Sequence, residues 1–126
     1  MGSRCFNLKG IEVFVIYSED KDSINLFFSK SIFSSTLILH WGLFKEYPIN
    51  AWHHPNKENY PKNTKEFNEF ALQTEFEFDI FFRDYLTIEL ELPKNDTKGI
   101  SFVFYDPNRN EWHNNDWKDF QIFFSN

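Results

Sequence analysis

A β-strand is predicted by the stretch Thr36-Leu37-Ile38-Leu39-His40-Trp41-Gly42, which decides the fold of this chain. Side chains in a strand point alternately to its two faces. Leu37, Leu39 and Trp41 therefore share one face, and His40 points to the other. We expect Trp41 to be a core residue and His40 to lie on the opposite surface of the sheet.

Two further tryptophans lie on polar loops. Trp52 follows a segment rich in Pro, Asn and Tyr, and Trp112 lies in Asn110-Glu111-Trp112-His113-Asn114-Asn115. A large apolar ring on a polar loop stays uncovered unless something binds there. We therefore expect these two loops to form one binding face.

Length and composition favour a single β domain. With 126 residues, the chain can bury a core without disulfides or a metal, and an aromatic content of 21%, with 17 Phe, is typical of strands. The single cysteine, Cys5, excludes an internal disulfide and is interpreted as incidental. Residues 1–10 are predicted to be a lead-in that begins with Met-Gly-Ser left by cloning, and residues 11–126 to be the module.

The net charge of −6 argues against binding to nucleic-acid phosphates, which requires a clustered basic face. No apolar run reaches the roughly 18–20 residues of a membrane span. We therefore expect neither a nucleic-acid nor a membrane partner. We expect a monomer, and the net charge would keep it in solution.

Strand patterns recur between turns along the whole chain. Together they predict an all-β fold, an antiparallel β-sandwich of about seven to eight strands, in which the first three strands pair as a meander. The predicted strands are 11–17, 24–30, 36–44, 74–78, 85–92, 100–105 and 120–124.

Three other patterns have more than one interpretation. Residues 45–64 are predicted to form a long loop, and residues 65–72 a short helical turn. Phe67, Phe70 and Ala71 in this turn fit a stripe that anchors the chain to the core better than a functional site. The acidic residues between 75 and 91 fit the solvated face of a strand better than a catalytic pair of carboxylates. The four histidines do not predict a metal site, because adjacent histidines point apart and zinc-like spacing is missing.

The sequence favours recognition without catalysis. It contains no nucleophile motif or Gly-rich phosphate loop, and four glycines leave little room for one. An indole can instead stack on a sugar ring while His, Asn and Lys side chains bond the hydroxyls. If each indole loses about 100 Å² of exposed apolar area, it contributes on the order of 2–3 kcal/mol. Association costs then predict micromolar to millimolar affinity.

Several short stretches resemble one known family in their order and spacing. They are Leu39-His40-Trp41-Gly42, Trp52 with Pro55, Ala71-Leu72-Gln73-Thr74-Glu75-Phe76, Ile100-Ser101-Phe102-Val103-Phe104-Tyr105-Asp106, and Glu111-Trp112 with Asn114-Asn115 and Asp119-Phe120. This set resembles the family 45 carbohydrate-binding modules, which occur in α-glucan, water dikinases and some plastidial α-amylases. The similarity covers residues 11–124.

The resemblance implies a non-catalytic, immunoglobulin-like module that binds the α-1,4-glucan chains of starch, amylopectin or glycogen. Maltooligosaccharides and cyclodextrins would be its small ligands, and no cofactor or metal is implied. By this resemblance Trp52 and Trp112 stack on glucose rings. A looser likeness to the family 25 and 53 starch-binding modules adds His40, Asn114 and Asn115. We also expect Lys45, in the adjoining loop, to help in binding. The parent enzyme would be intracellular, in the cytoplasm or a plastid.

One segment departs from the family pattern. Family 45 modules continue from the second tryptophan into Asn-Asn-Gly-Gly-Asn-Phe, whereas this chain has Asn114-Asn115-Asp116-Trp117-Lys118-Asp119-Phe120. Without the two glycines the turn must differ, and Trp117 is either an added stacking surface or a ring packed under the loop.

The other two loop tryptophans also have structural alternatives to ligand binding: Trp52 could hold its loop against the sandwich, and Trp112 could close a hairpin. The same exposed aromatics would also suit a protein-interaction domain.

Overall fold

The computed structural model describes residues 2–45, 51–94 and 97–124. Within these residues, eleven strands form two antiparallel sheets, and one short 3₁₀ turn spans Lys57–Asn59. The predicted all-β sandwich is confirmed, although the described residues contain more strands than the seven to eight expected, since several are only two to four residues long. The strands are β1 Gly2–Leu8, β2 Ile11–Glu19, β3 Ser23–Ser31, β4 Ile38–Phe44, β5 Thr64–Glu66, β6 Leu72–Glu75, β7 Glu77–Phe78, β8 Tyr85–Pro93, β9 Gly99–Asp106, β10 Glu111–His113 and β11 Phe120–Phe123.

The order of the strands differs from the predicted meander. The five-stranded sheet has the order β1-β2-β3-β8-β7, and the six-stranded sheet has the order β10-β9-β4-β6-β5, with β11 also paired to β9. β2 and β3 pair as expected, but β4 lies in the other sheet. A turn after β3 redirects the chain there: Ser34 N donates to the Ser31 carbonyl, and Ile32 N donates to the Asp84 carbonyl.

The expected lead-in contains a strand. Residues 2–8 pair along β2, and Phe6 and Leu8 are buried in the core. Lys9 and Gly10 close the hairpin with positive φ values of 54° and 93°, which suits the right-handed twist of the two strands. The outward side chain of Cys5 is exposed. Residues 2–8 therefore belong to the sandwich.

The core lies between the sheets and is rich in aromatic rings. Trp41 is fully buried, and its indole Nε1 donates to Thr74 Oγ1 at 2.9 Å. Phe102, also fully buried, meets Phe6 and Phe28 edge to face at centroid distances of 5.7 and 5.4 Å. The predicted inward direction of Trp41 is confirmed, because strand alternation sends it and its neighbours Leu39 and Leu43 to the same side.

Residues 64–78 differ from the prediction in two ways. The segment predicted as a helical turn holds β5 and a bend, so that prediction is wrong. The strand predicted over 74–78 is divided, since β6 belongs to the six-stranded sheet and β7 to the five-stranded sheet, with Phe76 at the crossing. In the long loop predicted from 45 to 64, residues 46–50 lie outside the described residues.

The acidic residues of this region and of β8 lie on the surface. Glu75, Glu77, Glu89 and Glu91 are all exposed, which agrees with the interpretation as a solvated face. Among the residues that the structure describes, no helix has the length and apolar character needed to cross a membrane.

Candidate functional site

The outer face of the six-stranded sheet brings together residues from distant parts of the chain. In the strand register, His40 of β4 lies between Gln73 of β6 and Val103 of β9. Farther along the same face, Tyr105 of β9 pairs with Trp112 of β10. Side chains of paired residues point to the same face, so these strands place Trp112 near His40.

A cluster of rings surrounds His40 on this face. Its imidazole centroid lies 4.9 Å from the ring of Trp112, 4.8 Å from Phe67 and 5.8 Å from Trp52. The ring of Tyr105 backs Trp112 at 4.5 Å. We call these five residues the aromatic cluster. The loop of Trp52 and the strand of Trp112 thus meet on one face, with His40 between their rings.

The rings of the aromatic cluster do not form a flat surface. His40, Phe67 and Trp112 are nearly perpendicular to one another, with interplanar angles of 81°, 85° and 82°. The His40 plane makes 50° with Trp52 and 81° with Trp112, so the two indole planes differ by at least 31°, the difference between these angles. Trp112 and Phe67 are 46% and 51% exposed, while Trp52 and His40 are more deeply placed. The cluster therefore presents inclined apolar faces to solvent.

Trp52 lies directly on the backbone of β4. Backbone hydrogen bonds of 2.9 and 2.8 Å join Leu43 and His53 in both directions, which fixes the loop along the strand. A methyl group at position 42 would come within 2.7 Å of Trp52 Cβ, so only Gly42 leaves room for the indole. Trp52 does therefore hold its loop to the sheet, in addition to presenting part of its ring.

Phe67 is predicted from the sequence to anchor the chain to the core, but it is 51% exposed and contacts His40 and Trp112 on the outer face. It begins a tight loop in which Asn68 Oδ1 accepts hydrogen bonds of 2.8 Å from the backbone N–H groups of Phe70 and Ala71, while Phe67 N donates to the Ala71 carbonyl. His54 Nε2 donates to the same carbonyl at 3.1 Å, which ties this loop to the loop of Trp52. The local signal for such a turn is Asn68, because an Asn side chain often bonds backbone N–H groups two or three residues further along.

His40 is held as a neutral ring. The Gln73 side-chain amide donates to Nδ1 at 3.2 Å, so the neutral imidazole carries its hydrogen on Nε2. Burial lowers the pKa of His40 below its usual value. At neutral pH the ring therefore offers one N–H donor among the aromatic faces.

We predict that the folded domain loses stability as the pH falls below 6.5. Burial lowers the pKa of His40 and, together with the Lys45 charge, that of His53, so the unfolded chain takes up these protons first. The stabilisation is complete above the unfolded value of about 6.5 and is lost as the pH falls through the lowered folded values. Urea unfolding between pH 7.5 and 5.5 tests this, with His40→Gln/His53→Gln as the variant that should flatten the curve. A midpoint that is constant or rises on acidification would contradict the prediction.

The remaining predicted residues lie outside the ring contacts. Lys45 is exposed just after β4, near His53. Asn114 and Asn115 are exposed, and Asn114 Oδ1 accepts a 3.0 Å hydrogen bond from Trp117 N. Among the described residues, Trp117 makes no ring contact with the aromatic cluster.

Trp117 is presented by a two-residue turn. Asn115 and Lys118 exchange backbone hydrogen bonds of 2.7 and 3.0 Å around Asp116 and Trp117, both at positive φ (53° and 71°). Two-residue turns with positive φ at both central positions usually contain Gly, Asn or Asp there. The side chain of Trp117 is 92% exposed, so the alternative of a ring packed under the loop is wrong.

Comparison with known proteins identifies the family of the domain. The chain is 33% identical over 89 residues to the protein named alpha-glucan water dikinase 1, chloroplastic, of Arabidopsis thaliana. This alignment covers 71% of the chain but spans only 6% of that relative. No solved structure matches the chain. The model of one family matches residues 4–124, and the chain therefore belongs to the immunoglobulin-like N-terminal domains of alpha-glucan water dikinase 1.

Proposed function

We propose that this domain binds α-glucan chains of starch, amylopectin or glycogen through its aromatic cluster. It acts as a non-catalytic module of the family 45 type that brings an α-glucan, water dikinase to its polysaccharide. The observation that carries the proposal is the group of half-exposed, inclined rings around His40. Membership of the family of dikinase N-terminal domains supports an α-glucan, water dikinase as the parent enzyme.

The inclination of the rings favours a curved ligand. An α-1,4-glucan coils, so successive glucose units turn their apolar faces in different directions. A β-1,4-glucan is an extended ribbon whose glucose faces lie nearly parallel to one another. Because the two indole planes differ by at least 31°, given by their 50° and 81° angles to His40, they match successive units of a coiled chain better than those of a flat one.

Polar groups at the rim would orient the sugar. The Nε2–H of His40 donates to a hydroxyl between the stacked rings, and the amides of Asn114 and Asn115 with the ammonium of Lys45 bond hydroxyls farther out. Stacking of two indoles contributes on the order of 2–3 kcal/mol each, which leaves micromolar to millimolar affinity after association costs. Such weak binding suits a module that works by repeated contacts on a polymer.

Trp117 is proposed as an outlying contact for longer chains. Holding a bulky residue at positive φ costs of the order of 1–3 kcal/mol, and its 92% exposed ring gains no packing in return. That combination is typical of positions kept for binding. Short oligosaccharides would not need this residue.

The chloroplastic label of the Arabidopsis relative supports a plastidial location for the parent enzyme. In an organism that stores amylopectin in the cytosol, the same module would work in the cytoplasm.

A pull-down of the purified domain on granular starch tests the proposal, with cellulose as the control polymer and β-cyclodextrin as competitor. We expect retention on starch that the cyclodextrin relieves, and little retention on cellulose. Equal retention on both polymers would contradict α-glucan recognition. Absence of retention at high domain concentration would also reject it and would assign the aromatic cluster to a protein partner instead.

A further inference from the structure

The outer face of the five-stranded sheet is apolar at its centre. Phe14 and Ile16 of β2 and Tyr85 of β8 are 39%, 51% and 41% exposed, and Phe27 of β3 lies between them. Together with Phe82 they line a shallow groove of about 750 Å³. Monomeric proteins rarely leave a contiguous apolar surface of this kind without a partner.

The loop after β7 extends this surface. Residues 80–82 form an apolar run that remains open to solvent: Ile80, Phe81 and Phe82 are 75%, 86% and 50% exposed. Phe82 packs on Phe27 at 5.7 Å and forms one wall of the groove. Asp79 Oδ1 accepts from Phe81 N at 2.8 Å, so this loop is held in place by its own hydrogen bonds.

A second loop lies beside the first. Ile32 N donates to the Asp84 carbonyl at 2.9 Å, which brings Ile32 and Phe33 next to residues 79–84. Their side chains are 38% and 85% exposed. We call the outward residues 14, 16, 27 and 85 with the loops 32–33 and 80–82 the apolar face.

The size of the apolar face fits a folded protein surface. Large side chains of this kind each bury about 150–250 Å² when fully covered. The exposed parts of the apolar face thus amount to several hundred Å², close to the roughly 800 Å² that one partner contributes to a standard interface. A small molecule would leave most of this area in water.

Charge indicates which protein surface would fit. The charged side chains at outward positions of β1, β2, β3 and β8 are Glu12, Glu89 and Glu91, all exposed and all acidic. Two basic residues lie nearby: Arg4 lines the groove, and Arg83 is exposed next to Phe82. Two copies packed face to face would bring these carboxylates together, and each chain already carries a net charge of −6. A partner with an apolar centre and a basic rim is therefore favoured over a second copy of the chain.

We propose that the apolar face docks onto a basic-rimmed apolar surface of another domain in the same polypeptide. The family consists of N-terminal domains, and the aligned segment spans only 6% of the Arabidopsis enzyme, so a much longer chain supplies the candidate surfaces. The docking uses the sheet opposite to the aromatic cluster. It stands independently of glycan binding and leaves that cluster open.

Hydrogen–deuterium exchange tests the docking by comparing the 126-residue chain with the full-length polypeptide that carries it. We expect amides of residues 32–33 and 79–85 to exchange at least about tenfold more slowly in the full-length protein. Ile80→Ser/Phe81→Ser in the full-length protein should restore the fast exchange of the isolated chain. Phe123→Ser, which removes a ring that is 52% exposed on the other sheet, is the matched control and should leave the protection unchanged.

Several results would overturn this proposal. Equal exchange in the two proteins, or a natural gene product without a further folded domain, would exclude docking in cis. A dimer of the isolated chain in sedimentation experiments that Phe81→Ser dissociates would assign the apolar face to a second copy. Flotation of the isolated chain with phosphatidylcholine vesicles, lost in the same variant, would assign it to a lipid surface.

Discussion

Replacing Trp112 by alanine should weaken the binding of maltoheptaose about 30- to 150-fold, with little change in melting temperature. The expected loss follows from the 2–3 kcal/mol that a stacked indole contributes. Trp112 is 46% exposed, so much of its ring is available to a ligand. Its packed side rests on Tyr105 and His40, which stay in place when the indole is removed. Isothermal titration calorimetry and a thermal melt measure the two quantities.

Phe123→Ala is the matched control for this experiment. Its ring is 52% exposed on the same sheet and packs on Phe44 at 5.4 Å, outside the aromatic cluster. The control should therefore bind maltoheptaose like the unaltered domain. If Trp112→Ala keeps its affinity, or if it melts several degrees lower, Trp112 closes a hairpin and does not stack on glucose.

Gly42→Ala should destabilise the domain by about 1–3 kcal/mol and also weaken maltoheptaose binding. The added methyl group would lie 2.7 Å from Trp52 Cβ, and 2.9 Å from both Trp52 Cε3 and the Phe70 carbonyl oxygen. β4 is fixed by its neighbours on both edges, so the loop of Trp52 must move away. The indole then no longer stands beside His40. Urea unfolding and calorimetry report the two effects separately.

Gly10→Ala is the control that separates the steric clash expected at position 42 from the backbone strain of replacing a glycine. Gly10 has φ +93° in the first hairpin, and no atom lies within 4 Å of a methyl group there. That variant should lose about 1 kcal/mol through backbone strain while its affinity stays unchanged. Retention of full affinity by Gly42→Ala would show that the position of Trp52 does not matter for binding.

Local patterns predicted the faces of the strands because side-chain direction in a strand repeats every two residues. Trp41 and His40 could be assigned to opposite faces from their own segment alone. The partners of β4 could not be predicted in this way. Its place between β9 and β6 depends on pairing of distant segments, and the contact of His40 with Phe67 follows only from that arrangement.

The segment 65–72 shows why spacing misled the prediction. Apolar residues at i, i+3 and i+4 fit a helical turn, but they also fit a bent loop whose backbone N–H groups are bonded by a side chain. Asn68 supplies that alternative for Phe70 and Ala71. The turn at residues 116–117 could not be predicted from the sequence either, because neither Asp nor Trp indicates positive φ in the way that Gly does.

The four tryptophans occupy four different environments, which determines what optical spectroscopy of this domain can report. Trp41 is fully buried, Trp52 is partly covered, and Trp112 and Trp117 are 46% and 92% exposed. Trp117 should dominate quenching by acrylamide and the long-wavelength side of the emission band, whatever happens at the other indoles. In a fluorescence titration of the unaltered domain, the emission of Trp117 would therefore mask the changes at Trp52 and Trp112. In a Trp117→Phe background, their response to added sugar could be read directly.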